Sequence, residues 1–259
     1  MIRQTPYEPG TPSYADLASP DLDASLAFYG ALFGWTAEAS TEPEAMGYTV
    51  FKLEDAAVAG LGPTLGDMPP HWNTYVTVAD VDAAVATAAA AGGQVMAEPF
   101  DVFDAGRMAV IADPGGAALS LWQSRDHVGA EVRMEPNTLC WHELNTRDPE
   151  AATAFLGTLF GWEARPVGAP GMDYTELRLG ETGVAGLIVM DENWPAEVPA
   201  HWMVYFAVSD CGAAAARVAE LGGEVHVPPT DIPGVGQFSV VADPHGAVFS
   251  VIALNDTTS

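Results

Sequence analysis

Two carboxylates, Asp16 and Glu143, stand in short segments with the alternating pattern of a β-strand. Residues two apart share one face of a strand, so Asp16 lies on the same face as Tyr14, and Glu143 on the same face as Trp141. A carboxylate against an aromatic wall has a raised pKa, which suits general acid or base catalysis. Hydrogen bonding to buried backbone amides or hydroxyls explains such a residue equally well, so both interpretations stay open.

Further strand-like segments carry candidate binding residues on one face. A mostly apolar cleft with a few convergent polar groups is what an aromatic ligand requires. These candidates are His71, Asn73, Tyr75, Ser120, Trp122, His201, Met203 and Tyr205.

Two kinds of candidate have a competing structural interpretation. His71 and His201 each precede a tryptophan at corresponding places in the chain, which favours a shared fold element over a shared reaction. Arg107 corresponds to Gln237 in the second half of the chain, whose sequence repeats that of the first half. Arg107 fits the edge of a pocket or the protein surface equally well.

Composition restricts the class of protein. The 259 residues carry 9 Lys+Arg and 35 Asp+Glu, giving a formal net charge of -26. Such a surface repels nucleic acid and anionic membranes. The two cysteines are too few for a disulfide framework or a thiolate metal cluster. Because no apolar signal segment or membrane-spanning run is evident, the sequence predicts a cytoplasmic protein.

The chain is a tandem duplication. FYGALFGW (28–35) returns as FLGTLFGW (155–162), HWNTYVTVAD (71–80) as HWMVYFAVSD (201–210), and ADPGGA (112–117) as ADPHGA (242–247). VAGL (58–61) also returns as VAGL (184–187), and all the matches occur in the same order at offsets of 126 to 130. The sequence therefore predicts a first domain over 1–125, a linker over 126–136 and a second domain over 137–259.

Each half divides again into two units of one strand, one helix and three strands. Asp21, Asp80, Asp148 and Asp210 each precede a helical pattern and are predicted N-caps. Strands follow each helix, and the last two in the second unit are joined by an Asp-Pro turn. The result is an α+β fold made of four βαβββ modules.

Four such modules resemble the vicinal oxygen chelate superfamily of glyoxalases, bleomycin-resistance proteins and extradiol dioxygenases. The supporting motifs are SPDLDASLAFYGALFGW, VADVDAAVATAAAAGGQV, ADPGGAALSLW, RDPEAATAFLGTLFGW and ADPHGAVFSVI. The chain looks closest to tandem actinobacterial members, which include secreted-antigen homologues and antibiotic-pathway tailoring proteins. The resemblance implies two curved sheets, each around a pocket, with helices on the convex side.

The resemblance also implies where a family metal would bind, and this sequence lacks the ligands. The corresponding strand positions fall on Tyr14, Asn73 and Ser120 in the first half and on Trp141, Met203 and Ser250 in the second, with further positions near Gly60 and Gly186. None is His, Glu or Asp, and a slip of one residue would not restore a triad. We therefore expect no metal and no other cofactor.

Three functions are consistent with these features, and they are ranked here from the most to the least favoured. The first is a metal-independent enzyme, of lyase or isomerase type, that tailors a planar aromatic or polyketide-like molecule in antibiotic or secondary metabolism. Asp16 or Glu143 would supply acid/base chemistry for cyclisation, dehydration, isomerisation or assisted hydroxylation. The second is a non-catalytic drug-binding or carrier protein, and the third is a metal-dependent glyoxalase or dioxygenase.

The expected partner is an aromatic small molecule, with no nucleic acid and no membrane, and the chain is expected to be a monomer or homodimer. The halves differ most at pocket positions, with Asn73 against Met203 and Trp122 against Ile252. One pocket is therefore expected to be the working site, and its polar Asn73 favours the first.

Overall fold

The computed structural model describes residues 6–167 and 174–255, and residues 1–5, 168–173 and 256–259 of the two predicted domains lie outside that description. Its elements repeat in the same order in each half. The first half contains β1 (Pro12–Ser19), α1 (Leu22–Phe33), β2 (Thr36–Ala39), β3 (Thr49–Leu53), β4 (Ala56–Pro63), β5 (His71–Thr77), α2 (Val81–Ala90), β6 (Gln94–Val102), β7 (Gly106–Ala112) and β8 (Ala118–Ser124). The second contains β9 (Leu139–Thr146), α3 (Pro149–Phe160), β10 (Glu163–Val167), β11 (Tyr174–Leu179), β12 (Thr182–Val189), β13 (His201–Ala207), α4 (Cys211–Glu220), β14 (Glu224–Ile232), β15 (Gly236–Ala242) and β16 (Val248–Leu254).

The α+β architecture of two tandem domains is confirmed. Each half forms one mixed sheet of eight strands, with the order β2-β3-β4-β1-β5-β8-β7-β6 in the first and the equivalent order in the second. The two βαβββ units of each half meet where their first strands pair antiparallel, β1 with β5 and β9 with β13. No helix in the part of the chain that the structure describes is long and apolar enough to cross a membrane.

The predicted caps begin all four helices. The carboxylates of Asp21, Asp80, Asp148 and Asp210 each accept a hydrogen bond from the backbone N–H three residues later, at 2.8 to 3.0 Å. Satisfying a free N–H in this way fixes the first turn of each helix. Helix α1 ends at Gly34, whose φ of 72° lies in the left-handed region that glycine adopts without strain.

Each helix buries one face in an apolar cluster that includes strands of both sheets, so the cores of the domains are shared. One apolar cluster joins the β1–β4 half-sheet and α1 to the β13–β16 half-sheet and α4. A second joins the β5–β8 half-sheet and α2 to the β9–β12 half-sheet and α3. Each sheet therefore has two faces. One face carries the helices and packs against the other domain. The opposite face, called the inner face, carries Tyr14 and Trp122 in the first sheet and Met203 and Tyr205 in the second.

The predicted linker over 126–136 packs along the first domain. Ala130 N–H donates to the Ser13 carbonyl at 2.9 Å, and the Glu131 carboxylate accepts from Ala57 N–H at 2.8 Å. Arg133 donates to the Pro12 carbonyl at 2.5 Å. These bonds fix the segment beside β1 and β4, and they bring His127 to the inner face of the first sheet.

Candidate functional site

The first inner face is centred on Asp16. Its Oδ2 accepts hydrogen bonds from the hydroxyls of Tyr75, at 2.7 Å, and Tyr48, at 3.2 Å. Its Oδ1 accepts from the Asn73 side-chain amide at 2.8 Å. Only 6% of Asp16 is exposed, so a carboxylate in the middle of the sheet is held by three neutral donors, two from β5 and one from the segment before β3.

Burial sets the ionisation of this group. Loss of water around Asp16 raises the pKa of its carboxyl, while the hydrogen bonds from Tyr75, Asn73 and Tyr48 and the nearby His71 lower it by a smaller amount. Burial and the adjacent Asp16 carboxylate likewise raise the pKa of Tyr75 well above that of a free phenol. Both phenols that bind Asp16 are therefore neutral hydrogen-bond donors at neutral pH.

Aromatic side chains close one end of this face. The rings of Tyr14 and Tyr75 meet edge to face with centroids 5.8 Å apart, and Trp122 contacts Tyr75 at 6.3 Å. His127 lies edge-on to Tyr14 at 4.8 Å, and its carbonyl accepts from Trp122 Nε1 at 2.9 Å. The Tyr14 hydroxyl and His127 Nε2 are buried without a well-formed hydrogen bond to any described residue.

The opposite end of the Asp16 network reaches the rim through His71. Its Nδ1 lies 2.8 Å from the Pro69 carbonyl, and its Nε2 lies 3.1 Å from Asn73 Oδ1. Asn73 therefore bridges a partly exposed imidazole and a buried carboxylate.

The second inner face repeats this plan with fewer polar groups. Glu143 Oε1 accepts from the Tyr205 hydroxyl at 2.8 Å, and the Tyr174 hydroxyl lies beside the same carboxylate. Trp141 Nε1 in turn donates to the Tyr174 oxygen at 2.8 Å. Met203 pairs with Glu143 across β13 and β9, in the place that Asn73 takes beside Asp16.

Glu143 differs from Asp16 in its donors and its rim. Burial raises the pKa of Glu143 to about 7, because the two phenols only partly offset its loss of water. His201 contacts the Pro199 carbonyl through Nδ1 at 2.9 Å and the Trp194 ring at 6.2 Å. The Met203 side chain has no amide that could bind His201. No chain of polar side chains therefore joins His201 to Glu143 through that position.

The structure brings most predicted residues together and places one elsewhere. Ser120 lies beside Tyr75 in the parallel pairing of β5 with β8, as Ser250 lies beside Tyr205. Arg107 instead binds Asp82 of α2 at 2.8 and 3.0 Å and Asp101 at 3.3 Å. Its neighbour on β7, Met108, packs on the aromatic cluster, so Arg107 points to the opposite side of the sheet from Asp16.

Sequence reasoning missed three residues of these sites. Tyr48 stands just before β3, and Tyr174 is the first residue of β11. Their recurrence 126 residues apart was the sequence signal that could have identified them. His127 was assigned to the linker, and nothing in its sequence context indicated that the segment folds back on β1. The carboxylates thus have more partners, and the first site a more closed end, than alternation alone predicts.

The residues present do not fit the metal site that the resemblance implies. Among residues 6–167 and 174–255, no three His, Cys, Asp or Glu side chains come close enough to hold an ion. Asp16 faces Gly60 on β4 and Asn73 on β5. A side chain at Gly60 would overlap the Tyr48 hydroxyl, and one at Gly186 would overlap the Tyr174 hydroxyl. Tyrosines thus fill the space beside β4 and β12.

The chain belongs to the Glyoxalase/Bleomycin resistance protein/Dioxygenase superfamily. The family model matches twice, at residues 11–121 and 127–251, one match for each sheet. The predicted superfamily and its tandem arrangement are therefore confirmed.

Two kinds of curated relative match almost the whole chain. The putative glyoxylase CFP32 of Mycobacterium tuberculosis is 44% identical, with 97% of this chain and 98% of that protein covered. The anthracycline biosynthesis protein DnrV of Streptomyces peucetius is 39% identical, over 97% of this chain and 96% of that protein.

Solved structures share the fold at low identity. The Mn(II)-bound glyoxalase of Novosphingobium aromaticivorans superposes with a TM-score of 0.66 at 19% identity, covering 94% of this chain and 82% of that one. The 2,3-dioxygenase LapB of Pseudomonas sp. KL28 gives 0.65 at 15% identity, covering 94% and 91%. At these identities the likeness establishes the fold alone.

Proposed function

We propose that the first inner face binds a planar aromatic, polyketide-like small molecule and tailors it by acid/base chemistry without a metal or other cofactor. Asp16 exchanges a proton with the bound molecule, in a cyclisation, dehydration, isomerisation or assisted hydroxylation. The protein acts in the cytoplasm as a monomer or homodimer, and its partner is the small molecule rather than nucleic acid or membrane.

The observation that carries this proposal is the environment of Asp16. A carboxyl with a raised pKa gains a stronger proton affinity than it has in water and thus becomes a better base when ionised. The three neutral donors hold the carboxylate in one orientation. Tyr14 and Trp122 supply the flat apolar surface that an aromatic ring system needs.

Large apolar side chains are exposed in the segments that lead to Tyr48 and His71. Met46 precedes Tyr48 in the chain and is 60% exposed, while Leu65 and Met68 are 59% and 49% exposed in the loop that leads to His71. Large exposed apolar side chains near a polar centre are typical of sites that receive an apolar ligand. They suit the first face as the entry for an aromatic molecule.

The relatives favour the same substrate class. DnrV and its equivalent DauV, from Streptomyces sp. strain C5, are named for anthracycline biosynthesis, and anthracyclines are aromatic polyketides. Their similarity extends over both domains, so this chain has the same overall framework. We therefore place its substrate among aromatic products of secondary metabolism.

Turnover is the first test of this proposal. A panel of aromatic polyketides is incubated with the protein, and products are measured by mass spectrometry for wild type, Asp16→Asn and Glu143→Gln. We expect Asp16→Asn to lower turnover by about 10²–10⁴-fold, the usual contribution of a general acid or base, and Glu143→Gln to lower it far less. Equal losses from both variants would contradict the assignment to the first face.

Ligand fluorescence separates the two faces without turnover. Trp122 lies on the first face and Trp141 on the second. Binding should change the tryptophan emission of wild type and Trp141→Phe, whereas Trp122→Phe should lose most of the change. The reverse pattern would place the ligand on the second face.

Metal content tests the lost-ligand argument. Untagged protein purified without chelator should contain far less than one equivalent of transition metal by plasma mass spectrometry. A content of about one metal equivalent per chain that is lost in Asp16→Asn would instead identify a metal centre. Glyoxalase or dioxygenase chemistry would then become the favoured function.

A non-catalytic binding protein is the second candidate. The observation in its favour is that Asp16 is already bonded to three of the protein's own side chains, as a structural carboxylate would be. The net charge of -26 also suits a cationic aromatic drug. Tight binding with no product, unchanged in Asp16→Asn, would establish this function instead.

A further inference from the structure

The bridge from Asp16 through Asn73 to His71 has a restricted set of proton arrangements. The Pro69 carbonyl can only accept, so His71 Nδ1, 2.8 Å away, carries a proton. His71 Nε2 then donates only in the imidazolium form and accepts only in the neutral form. Asn73 presents its oxygen to one neighbour and its NH₂ to the other, never the same group to both.

The Asp16 oxygen that faces Asn73 is Oδ1, while Oδ2 already accepts from the hydroxyls of Tyr75 and Tyr48. With the carboxyl proton, where there is one, on Oδ1, two arrangements leave every contact of the bridge matched. In the first, the Asn73 NH₂ donates to ionised Asp16 and the Asn73 oxygen accepts from the His71 imidazolium, which is the observed orientation. In the second, the amide is turned over, Asp16 is protonated and donates to the oxygen, and neutral His71 accepts from the NH₂. Any other combination sets two acceptors or two donors against each other at 2.8 or 3.1 Å.

We propose that Asn73 couples the proton on Asp16 to the proton on His71, so that Asp16 is held as a base while His71 is imidazolium. His71 and Asn73 are positioning residues for Asp16, and the two matched arrangements contain the same total number of protons. This inference rests on the proposed function for its purpose, since it names what regulates the base, but the coupling exists with or without a substrate.

The groups that face this bridge allow it to be isolated. The titratable groups are Tyr14 and Asp16 on β1, Tyr48 just before β3, and Tyr75 on β5. Strand β4 presents Gly60 and Gly62, which do not titrate. The phenols stay neutral near physiological pH because burial raises the pKa of each. The loop before β5 adds Asp67, which is exposed.

The second domain provides an internal control. His201 makes the same Nδ1 contact, to the Pro199 carbonyl at 2.9 Å. Its neighbour two residues on is Met203, which cannot relay a hydrogen bond between His201 and Glu143. The coupling is therefore a property of the first domain alone.

Imidazole NMR on the full-length protein with labelled histidine tests the coupling directly. At the pH where half of wild-type His71 is imidazolium, we expect Asp16→Asn and Asn73→Met to lower its ratio of imidazolium to neutral form on the order of 3- to 10-fold, as for loss of one nearby charge or its relay. Methionine occupies the equivalent place in the second domain, so Asn73→Met suits this framework. Asn73→Ala provides a second variant, and the remaining histidine signals report that the fold is kept.

Two comparisons decide the result. Asp67→Asn removes one charge from the segment before β5 without touching the bridge and should change His71 little, and His201 should stay as in wild type throughout. The proposal is overturned if Asp16→Asn and the Asn73 variants leave His71 unchanged, or if Asp67→Asn acts as strongly as Asp16→Asn. Failure of polyketide binding would leave this result intact, so the two proposals fail separately.

Discussion

Tyr29→Phe is expected to destabilise the protein by about 2–4 kcal/mol, although it removes a single oxygen atom. The Tyr29 hydroxyl donates to Asp243 Oδ2 of the other domain at 3.1 Å and accepts from Trp72 Nε1 at 3.2 Å. All three side chains are buried, and each partner left unpaired costs about 1–3 kcal/mol. Urea unfolding of wild type and variant measures the difference.

The second domain shows this bridge with its central residue changed. The residue equivalent to Tyr29 is Leu156, and the residues equivalent to its partners are Trp202 and Asp113. Trp202 Nε1 and Asp113 Oδ2 are both buried without a hydrogen bond to any described residue. Burial accordingly raises the pKa of Asp113. One substitution, tyrosine to leucine, accounts for both unpaired groups.

Leu156→Tyr is therefore expected to stabilise the protein, with Leu156→Phe as the matched control. Leu119 and Leu177 stand on this side where Phe249 and Phe51 pack around Tyr29, so the smaller neighbours leave more room for a ring. The tyrosine variant should exceed the phenylalanine variant by about 1–3 kcal/mol in free energy of unfolding. Equal stability of the two variants would show that the new hydroxyl reaches neither partner.

The second large effect is a loss of stability with rising pH that comes from Glu143. The pKa of this carboxyl is about 7 in the folded protein against 4.5 when unfolded, so the folded state binds the proton more tightly. The stability that it contributes is full below pH 4.5 and is lost as the pH rises through 7. The difference between the two pKa values corresponds to about 3 kcal/mol in the free energy of unfolding.

Glu143→Gln isolates this contribution, because glutamine resembles the protonated acid at every pH. Between pH 4.5 and 8, the free energy of unfolding of wild type should fall by about 3 kcal/mol more than that of the variant. Comparing the two proteins removes the general effect of the large net charge, which both share. Parallel pH profiles would mean that Glu143 is ionised as easily in the folded protein as in the unfolded chain.

The sequence predicted the modules and the central side chains. Alternation placed Asp16 with Tyr14, and the repeat placed Glu143 at the equivalent position of the second half. Both predictions depend only on local periodicity and on duplication, which a sequence displays directly. The helix caps were predictable for the same reason, because an N-cap bond spans only three residues.

Arg107 shows the limit of such reasoning. Alternation sets which neighbours on β7 share its face, but the side of the sheet that it reaches depends on where α2 packs. Ionic partners on α2 and β6 decide this in the folded chain. Residue type alone was compatible with either position.

The sequence by itself determined a tandem α+β protein with one candidate site carboxylate in each half, Asp16 and Glu143, and no family metal ligands at the expected strand positions. Only the tertiary structure decided which groups surround those carboxylates. Tyr48 reaches Asp16 from 32 residues away and His127 reaches Tyr14 from the predicted linker. The shared core likewise joins Tyr29 to Asp243, 214 residues apart. Contacts of this kind form when whole elements pack, and local periodicity carries no information about which distant elements will meet.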